Sequence, residues 1–231
     1  VSRPLIIAHR GASGYEVENS LAAFRAAVDR GADAVELDIH ATADGALVVH
    51  HGEKIGDHFI AHASLHEVRE HPLPNGEGVP LLEEALAIIV PRMIAFVEIK
   101  SVPPRLDDKL FDLIECTGAQ DRVALHGFDH RVIHRMGEKR PHIKRGVLSA
   151  SYPMHPVRCL EDADASTLWQ HRNHVDEALV AAIHGAGMTL YVYTVNGPDE
   201  IRRLGSLGVD GICTDFPDVA RAAIESLPDI R

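Results

Sequence analysis

Three places in this chain set polar residues against apolar runs in a way that could do chemistry. His9 and Arg10 close the run LIIA, Glu36 and Asp38 lie within AVELDI, and Glu98 and Lys100 lie within AFVEIK. On an extended strand, residues i and i+2 share a face, so Glu36 and Asp38 point one way, as do Glu98 and Lys100. Adjacent strands would then gather three carboxylates, which repel one another unless a cation lies between them. Oxygen donors of this kind favour Mg2+, Ca2+ or Mn2+ over zinc. An unpaired carboxylate among apolar neighbours is costly, which argues against a merely solvated fringe. His9 and one of the neighbours His50 and His51, which face opposite sides if extended, would supply a general acid and a general base near neutral pH. Arg10, with its two-pronged donor geometry, and Lys100, as a point charge, would neutralise phosphate oxygens. Together the residues suit cleavage of a phosphodiester.

Catalytic groups at the carboxyl ends of strands are the habit of parallel barrels, and the rest of the sequence supplies the strands. Apolar runs at 5–9, 33–40, 93–100, 122–128, 144–150, 163–169, 188–196 and 209–215 alternate with amphipathic stretches or with loops long enough to hold a helix. Eight such units predict an α/β fold, a closed (βα)8 barrel, with an open doubly wound sheet as the structural alternative. Ser20 and Pro198 stand where an N-cap and a first helical residue belong, and Gly31, Gly187 and Gly208 stand where helices stop before a strand. No linker divides the chain, so residues 1–231 read as one domain. The stretch of about 52–80 breaks the rhythm and reads as a loop-rich insertion after the second strand unit.

Composition narrows the partners. The 231 residues carry 23 basic against 34 acidic side chains, a net charge of −11, which disfavours a nucleic-acid backbone as ligand. No window approaches the length of apolar sequence that a membrane span needs, and VSRPLIIAHRG is too short an apolar start for a signal peptide, so the expected location is cytoplasmic. Cys116, Cys159 and Cys213 lack the close spacings of zinc or redox motifs and read as reduced. HRGASG has neither the spacing of a dinucleotide-binding turn nor the lysine of a P-loop.

At the polar strand ends the chain resembles the glycerophosphodiester phosphodiesterase family of the cytoplasmic bacterial type. The resemblance runs through IIAHRGASGYEVENSLAAF, GADAVELDIHATADGALVVHH, FVEIK, YVYTVN and GVDGICTDFPD, nearly the whole length. It implies a TIM barrel with a small insertion after the second strand, and metal-dependent hydrolysis of a small glycerophosphodiester to glycerol 3-phosphate and an alcohol such as choline or ethanolamine. It also implies one divalent cation, Mg2+ or Ca2+ with Mn2+ as a further choice, on Glu36, Asp38 and Glu98. His9 and His51 would be the acid and base, and Arg10 and Lys100 would contact the phosphate. The resemblance alone selects His51 over His50. The nucleophile it implies is the adjacent glycerol hydroxyl, giving a cyclic phosphate that water opens, with direct attack by water as the alternative.

The chain departs from the family pattern in three places. Val17-Glu18-Asn19-Ser20 replaces the usual PENT, Gly52 follows His51 where an Asp is usual, and Tyr193 replaces a common Trp, leaving a smaller aromatic wall for the substrate. Two other functions compete. A phosphodiesterase acting on lysophospholipids or phospholipids would need an apolar rim, for which Ile55, Phe59, Ile60 and Leu65 are the material. A noncatalytic phosphate-ester binding barrel is the reading that Gly52 encourages. Trp169, His171 and His174 read as a surface loop after the sixth strand, with the lining of a substrate pocket as the lesser alternative. Asp215 reads as a helix cap or a glycerol contact, and His126 and Asp129 as a turn that caps a helix.

Overall fold

The computed structural model describes residues 3–227. In chain order the elements are β1 (Leu5–His9), α1 (Leu21–Asp29), β2 (Ala34–Ala41), β3 (Leu47–Val49), β4 (Lys54–Ile55), β5 (His58–Phe59), α2 (Leu65–Arg69), α3 (Leu82–Ile89), β6 (Ile94–Ser101), α4 (Asp107–Glu115), β7 (Val123–Gly127), α5 (His130–Lys139), β8 (Lys144–Ser149), α6 (Pro156–Asp162), β9 (Thr167–His171), α7 (Glu177–Gly185), β10 (Thr189–Tyr193), α8 (Pro198–Leu207), β11 (Gly211–Thr214) and α9 (Pro217–Glu225). Eight of the strands are parallel and close on themselves: β1, β2, β6, β7, β8, β9, β10 and β11, with β1 pairing both β2 and β11. That double pairing makes the sheet a TIM barrel and disposes of the open-sheet alternative.

The barrel follows from the apolar runs. Ile7, Ala34, Phe96, Ala124, Leu148, Trp169 and Cys213 pack together inside it, while other residues of the same strands pack outward on the helices. Helix ends obey local chemistry: the Ser20 hydroxyl accepts from Ala23 N–H to start α1, and Gly208 takes a left-handed φ of 86° to end α8. The sixth strand begins later than the sequence pattern suggests. Residues 163–166 finish the α6 turn, with Ala165 N–H bonded to Leu160 O, so the strand starts at Thr167 and carries both Trp169 and His171.

Between β2 and α3 the chain leaves the barrel rhythm. β3 pairs antiparallel with the end of β2, Ile39 opposite Val49, and the β4–β5 hairpin, a 3-10 turn and α2 follow. This excursion has its own apolar cluster of Val48, Ile55, Ile60, Ala63, Val68, Leu73 and Val79. Of the four apolar residues suggested for a lipid-facing rim, Ile55 and Ile60 are buried in that cluster, Leu65 packs against it, and Phe59 is exposed. Among the described residues no helix is long and apolar enough to cross a membrane, and the three cysteines are free.

Candidate active site

The HRG corner at the end of β1 explains why its three residues have these types. Arg10 adopts a left-handed φ of 55° and Gly11 one of 82°. A Cβ on Gly11 would lie 2.6 Å from the backbone of Ala23, so only glycine fits there. The turn aims Arg10 inward twice: its backbone N–H donates to Glu36 Oε2 at 3.1 Å, and its Nε lies 3.1 Å from Asp38 Oδ2. A non-glycine residue held in this conformation is a modest cost that such corners carry when the turn positions a functional group.

Strand register sets the carboxylates side by side. His9 lies level with Glu36, Asp38 with Glu98, and Glu98 with His126. Lys100 Nζ bridges two of them, 2.6 Å from Glu98 Oε1 and 3.1 Å from Asp38 Oδ1. Asp38 is the most heavily supported: besides Arg10 and Lys100 it accepts from Asn19 Nδ2 at 2.8 Å. Burial works against its charge, but Lys100, Arg10 and Asn19 hold its carboxyl below the usual range. Glu36 and Glu98 lack that support. Burial, then Asp38 and Glu98, push Glu36 well up, and burial raises Glu98 to about 7. Lys100 stays above its ordinary value because Asp38 and Glu98 outweigh its own burial.

The structure brings His9, Arg10, Glu36, His51, Glu98, Lys100 and Tyr193 around one cavity of about 380 Å3 at the carboxyl end of the barrel; Asp38 sits just beneath, behind Arg10 and Lys100. His50 and His51 diverge. His50 turns its Nδ1 to Gly52 O at 2.8 Å, whereas His51 faces the cavity. Burial, then Arg10, lower the His51 imidazole below its usual value. Its backbone is tethered by the buried His40, whose Nε2 lies 3.3 Å from His51 O and whose Nδ1 lies 2.9 Å from Ser101 Oγ.

Sequence reasoning missed or misplaced five functional neighbours. Asp215 does not cap α9, whose N-cap is Phe216; it accepts from His9 Nδ1 at 2.7 Å, Ser13 Oγ at 3.0 Å and Asn196 Nδ2 at 2.6 Å. Those hydrogen bonds, against its burial, lower its carboxyl. Asn19 supports Asp38. His126 is no turn residue; it lies within β7, fully inside the barrel, while Asp129 does cap α5. Trp169 and His171 line the cavity from β9, and His174 sits on the turn beyond. The signal for Asp215 was present, since it too is a polar residue ending an apolar barrel strand.

Comparison with known proteins places the chain in a family. The family model described as the glycerophosphoryl diester phosphodiesterase family matches residues 9–219. The chain is 32% identical over 240 residues to the uncharacterized protein YqiK of Bacillus subtilis, covering 96% of this chain and 98% of that one. It is 31% identical to a glycerophosphodiester phosphodiesterase of Caldanaerobacter subterraneus, covering 94% and 96% of the two chains. Among solved structures it resembles a phosphodiesterase of Oleispira antarctica in complex with the product sn-glycerol-3-phosphate, with a TM-score of 0.89, 27% identity, and coverage of 97% and 98%.

Proposed function

Given that the chain belongs to the glycerophosphoryl diester phosphodiesterase family, we propose that it hydrolyses a small glycerophosphodiester to glycerol 3-phosphate and an alcohol, using a divalent cation and two histidines at this cavity. That it is a glycerophosphodiester phosphodiesterase follows from its relatives. The metal, the roles of the residues and a cytoplasmic setting are our reading. One observation carries it: carboxylates and cations from separate barrel strands and their corners, with the imidazoles of His9 at the end of β1 and of His51 beyond β3, converge on one cavity large enough for a phosphodiester.

The donor set fits a hard divalent ion. Among the described residues three carboxylates, Glu36, Asp38 and Glu98, face only two cationic side chains, Arg10 and Lys100, and the only hydrogen bond to the Glu36 carboxylate comes from the Arg10 backbone N–H. A divalent cation bound there, of the Mg2+, Ca2+ or Mn2+ class, would offset the negative charge of the phosphate and polarise it. Arg10 and Lys100 would orient the phosphate oxygens. His51, whose imidazole is lowered by burial and by Arg10, would take the proton from the attacking hydroxyl, whether of the substrate's glycerol or of water. His9 would return a proton to the leaving alcohol through Nε2, because its Nδ1 is committed to Asp215. Tyr193, whose hydroxyl donates to Ser149 O at 3.1 Å, would wall the leaving-group side beside His171 and Phe128.

The test is release of glycerol 3-phosphate from glycerophosphocholine by metal-stripped protein, with and without Mg2+, Ca2+ or Mn2+. Turnover restored by a cation supports the reading, and turnover unchanged by stripping refutes its metal part. Turnover at the wild-type rate in both His9→Ala and His51→Ala would refute the acid–base part.

A further inference from the structure

We propose that His126 supplies a nitrogen ligand to the cation at Glu36 and Glu98, making the centre a mixed oxygen–nitrogen site that prefers Mn2+ to Ca2+. This rests on the metal reading above and extends it to a residue and a selectivity that the carboxylates alone do not give.

Ligand atoms of Glu36, Glu98 and His126 all lie within 4.8 Å of one another, and all three residues are buried. His126 is 1% exposed, yet neither ring nitrogen is in a hydrogen bond with the described residues. Nδ1 is buried without a partner, and Nε2 is 3.9 Å from Glu36 Oε1, beyond hydrogen-bonding reach. Buried imidazoles ordinarily find hydrogen-bond partners, so a ring edge left bare beside two carboxylates points to an occupant other than protein.

The ring is also held in place. It stacks on the Trp169 indole with centroids 4.4 Å apart and planes 10° from parallel. The register partner of His126 on the next strand is Gly146, where a Cβ would lie 2.9 Å from Trp169 Cδ1. Absence of a side chain at Gly146 therefore leaves space for the indole, and the indole fixes the imidazole plane with one edge toward Glu36. A plain core position would be filled as well by an apolar side chain; what the imidazole adds is a lone pair. Imidazole nitrogen suits first-row transition metals, whereas Ca2+ is bound through oxygen, so a nitrogen among carboxylates tilts the choice toward Mn2+ and its neighbours in the series.

The experiment titrates metal-stripped protein with Mn2+ and examines the bound ion by pulsed electron paramagnetic resonance, which detects nitrogen nuclei coupled to the metal. The expected result is bound Mn2+ with nitrogen modulation that disappears in His126→Gln and persists in His9→Asn, His51→Asn and the double variant. In His126→Gln the ratio of Mn2+ to Ca2+ affinity should fall by about tenfold or more, the size of effect typical of changes around a metal site. Bound Mn2+ without nitrogen modulation in the wild type overturns the role of His126 while leaving the carboxylate site standing, and needs no variant to fold. Modulation that survives His126→Gln overturns it too. Failure of the wild type to bind Mn2+, Mg2+ or Ca2+ overturns the metal reading and this inference together.

Discussion

Substituting Asp215 by Asn should disable the proposed acid while leaving the cavity intact, and the hydrogen bonds around it fix how. Asn196 Oδ1 accepts from Asp215 N–H at 2.9 Å and from Thr214 Oγ1 at 3.1 Å, so its Nδ2 must face Asp215 Oδ2 as a donor. An Asn at 215 would turn its own carbonyl to that obligate donor and present its NH2 to His9. His9 Nδ1 would then have to accept, its proton would move to Nε2, and the charged ring would lose its carboxylate. A hydrogen bond to a charged group is worth about 1.5–3 kcal/mol, and each 1.4 kcal/mol or so is tenfold in rate. The expected loss in kcat is on the order of 10- to 100-fold, or more if the wrong tautomer dominates, as occurs when the analogous carboxylate of a serine-protease triad is amidated. The assay is steady-state release of glycerol 3-phosphate across pH, with Mn2+ affinity measured in parallel. A fall in kcat with unchanged metal affinity is expected. A kcat within threefold of wild type, or an equal loss of metal binding, would refute the reasoning.

Three further outcomes are expected. Asn19→Ala removes the donor to buried Asp38 and should cost about 1.5–3 kcal/mol of stability, read from urea midpoints at constant slope; no change would mean that Arg10 and Lys100 suffice. Because the His51 imidazole is lowered by its burial and by Arg10, the acid limb of kcat/KM should fall below the ordinary imidazole value of 6.5, and His51→Ala should cost about 10²- to 10⁴-fold in rate. A limb above that value would show that another group serves as base. In metal-stripped protein, burial raises Glu98 from 4.5 to about 7, so the folded state holds a proton that the unfolded state releases. That contribution is complete below 4.5 and is lost as pH climbs to about 7, on the order of 3 kcal/mol. Glu36 acts in the same direction. Urea midpoints should therefore fall from pH 5 to pH 7.5 and recover on adding Mn2+, and a rise over that interval in stripped protein would contradict it.

The sequence discloses the strands because each barrel strand is a short apolar run bounded by turn chemistry, but eight such runs also suit an open sheet, and closure shows only in the pairing of β1 with both β2 and β11. Glu36 with Asp38, and Glu98 with Lys100, are legible because a period of two puts each pair on one face. What stayed hidden is what only closure creates. Asp215 reaches His9 across 206 positions, joining the last barrel strand's end to the first. Asn19 reads locally as part of a helix entry, and its hold on Asp38 exists only once β2 lies beside that turn. His126 reads as turn chemistry beside Gly127 and Asp129, and Trp169 was misplaced with its strand because the end of α6 mimics an extended apolar run.

The excursion that carries His51 has a consequence for how the protein fails. His9, Arg10, Glu36, Asp38, Glu98 and Lys100 all belong to the closed barrel or its immediate corner, where each strand is paired on both sides. His51 follows a strand of three residues paired on its barrel side to β2 alone, and leads into a segment whose apolar cluster is largely its own. Elements with few shared contacts open at lower free energy than the core they adorn. Under mild denaturant or heat the excursion should therefore come away first, carrying off the proposed base but sparing the groups proposed to hold the phosphate. The protein would then pass, before it unfolds, through a state that captures a phosphodiester without cutting it, and substrate-like ligands would protect the barrel from protease while leaving the segment of residues 52–80 open to cleavage.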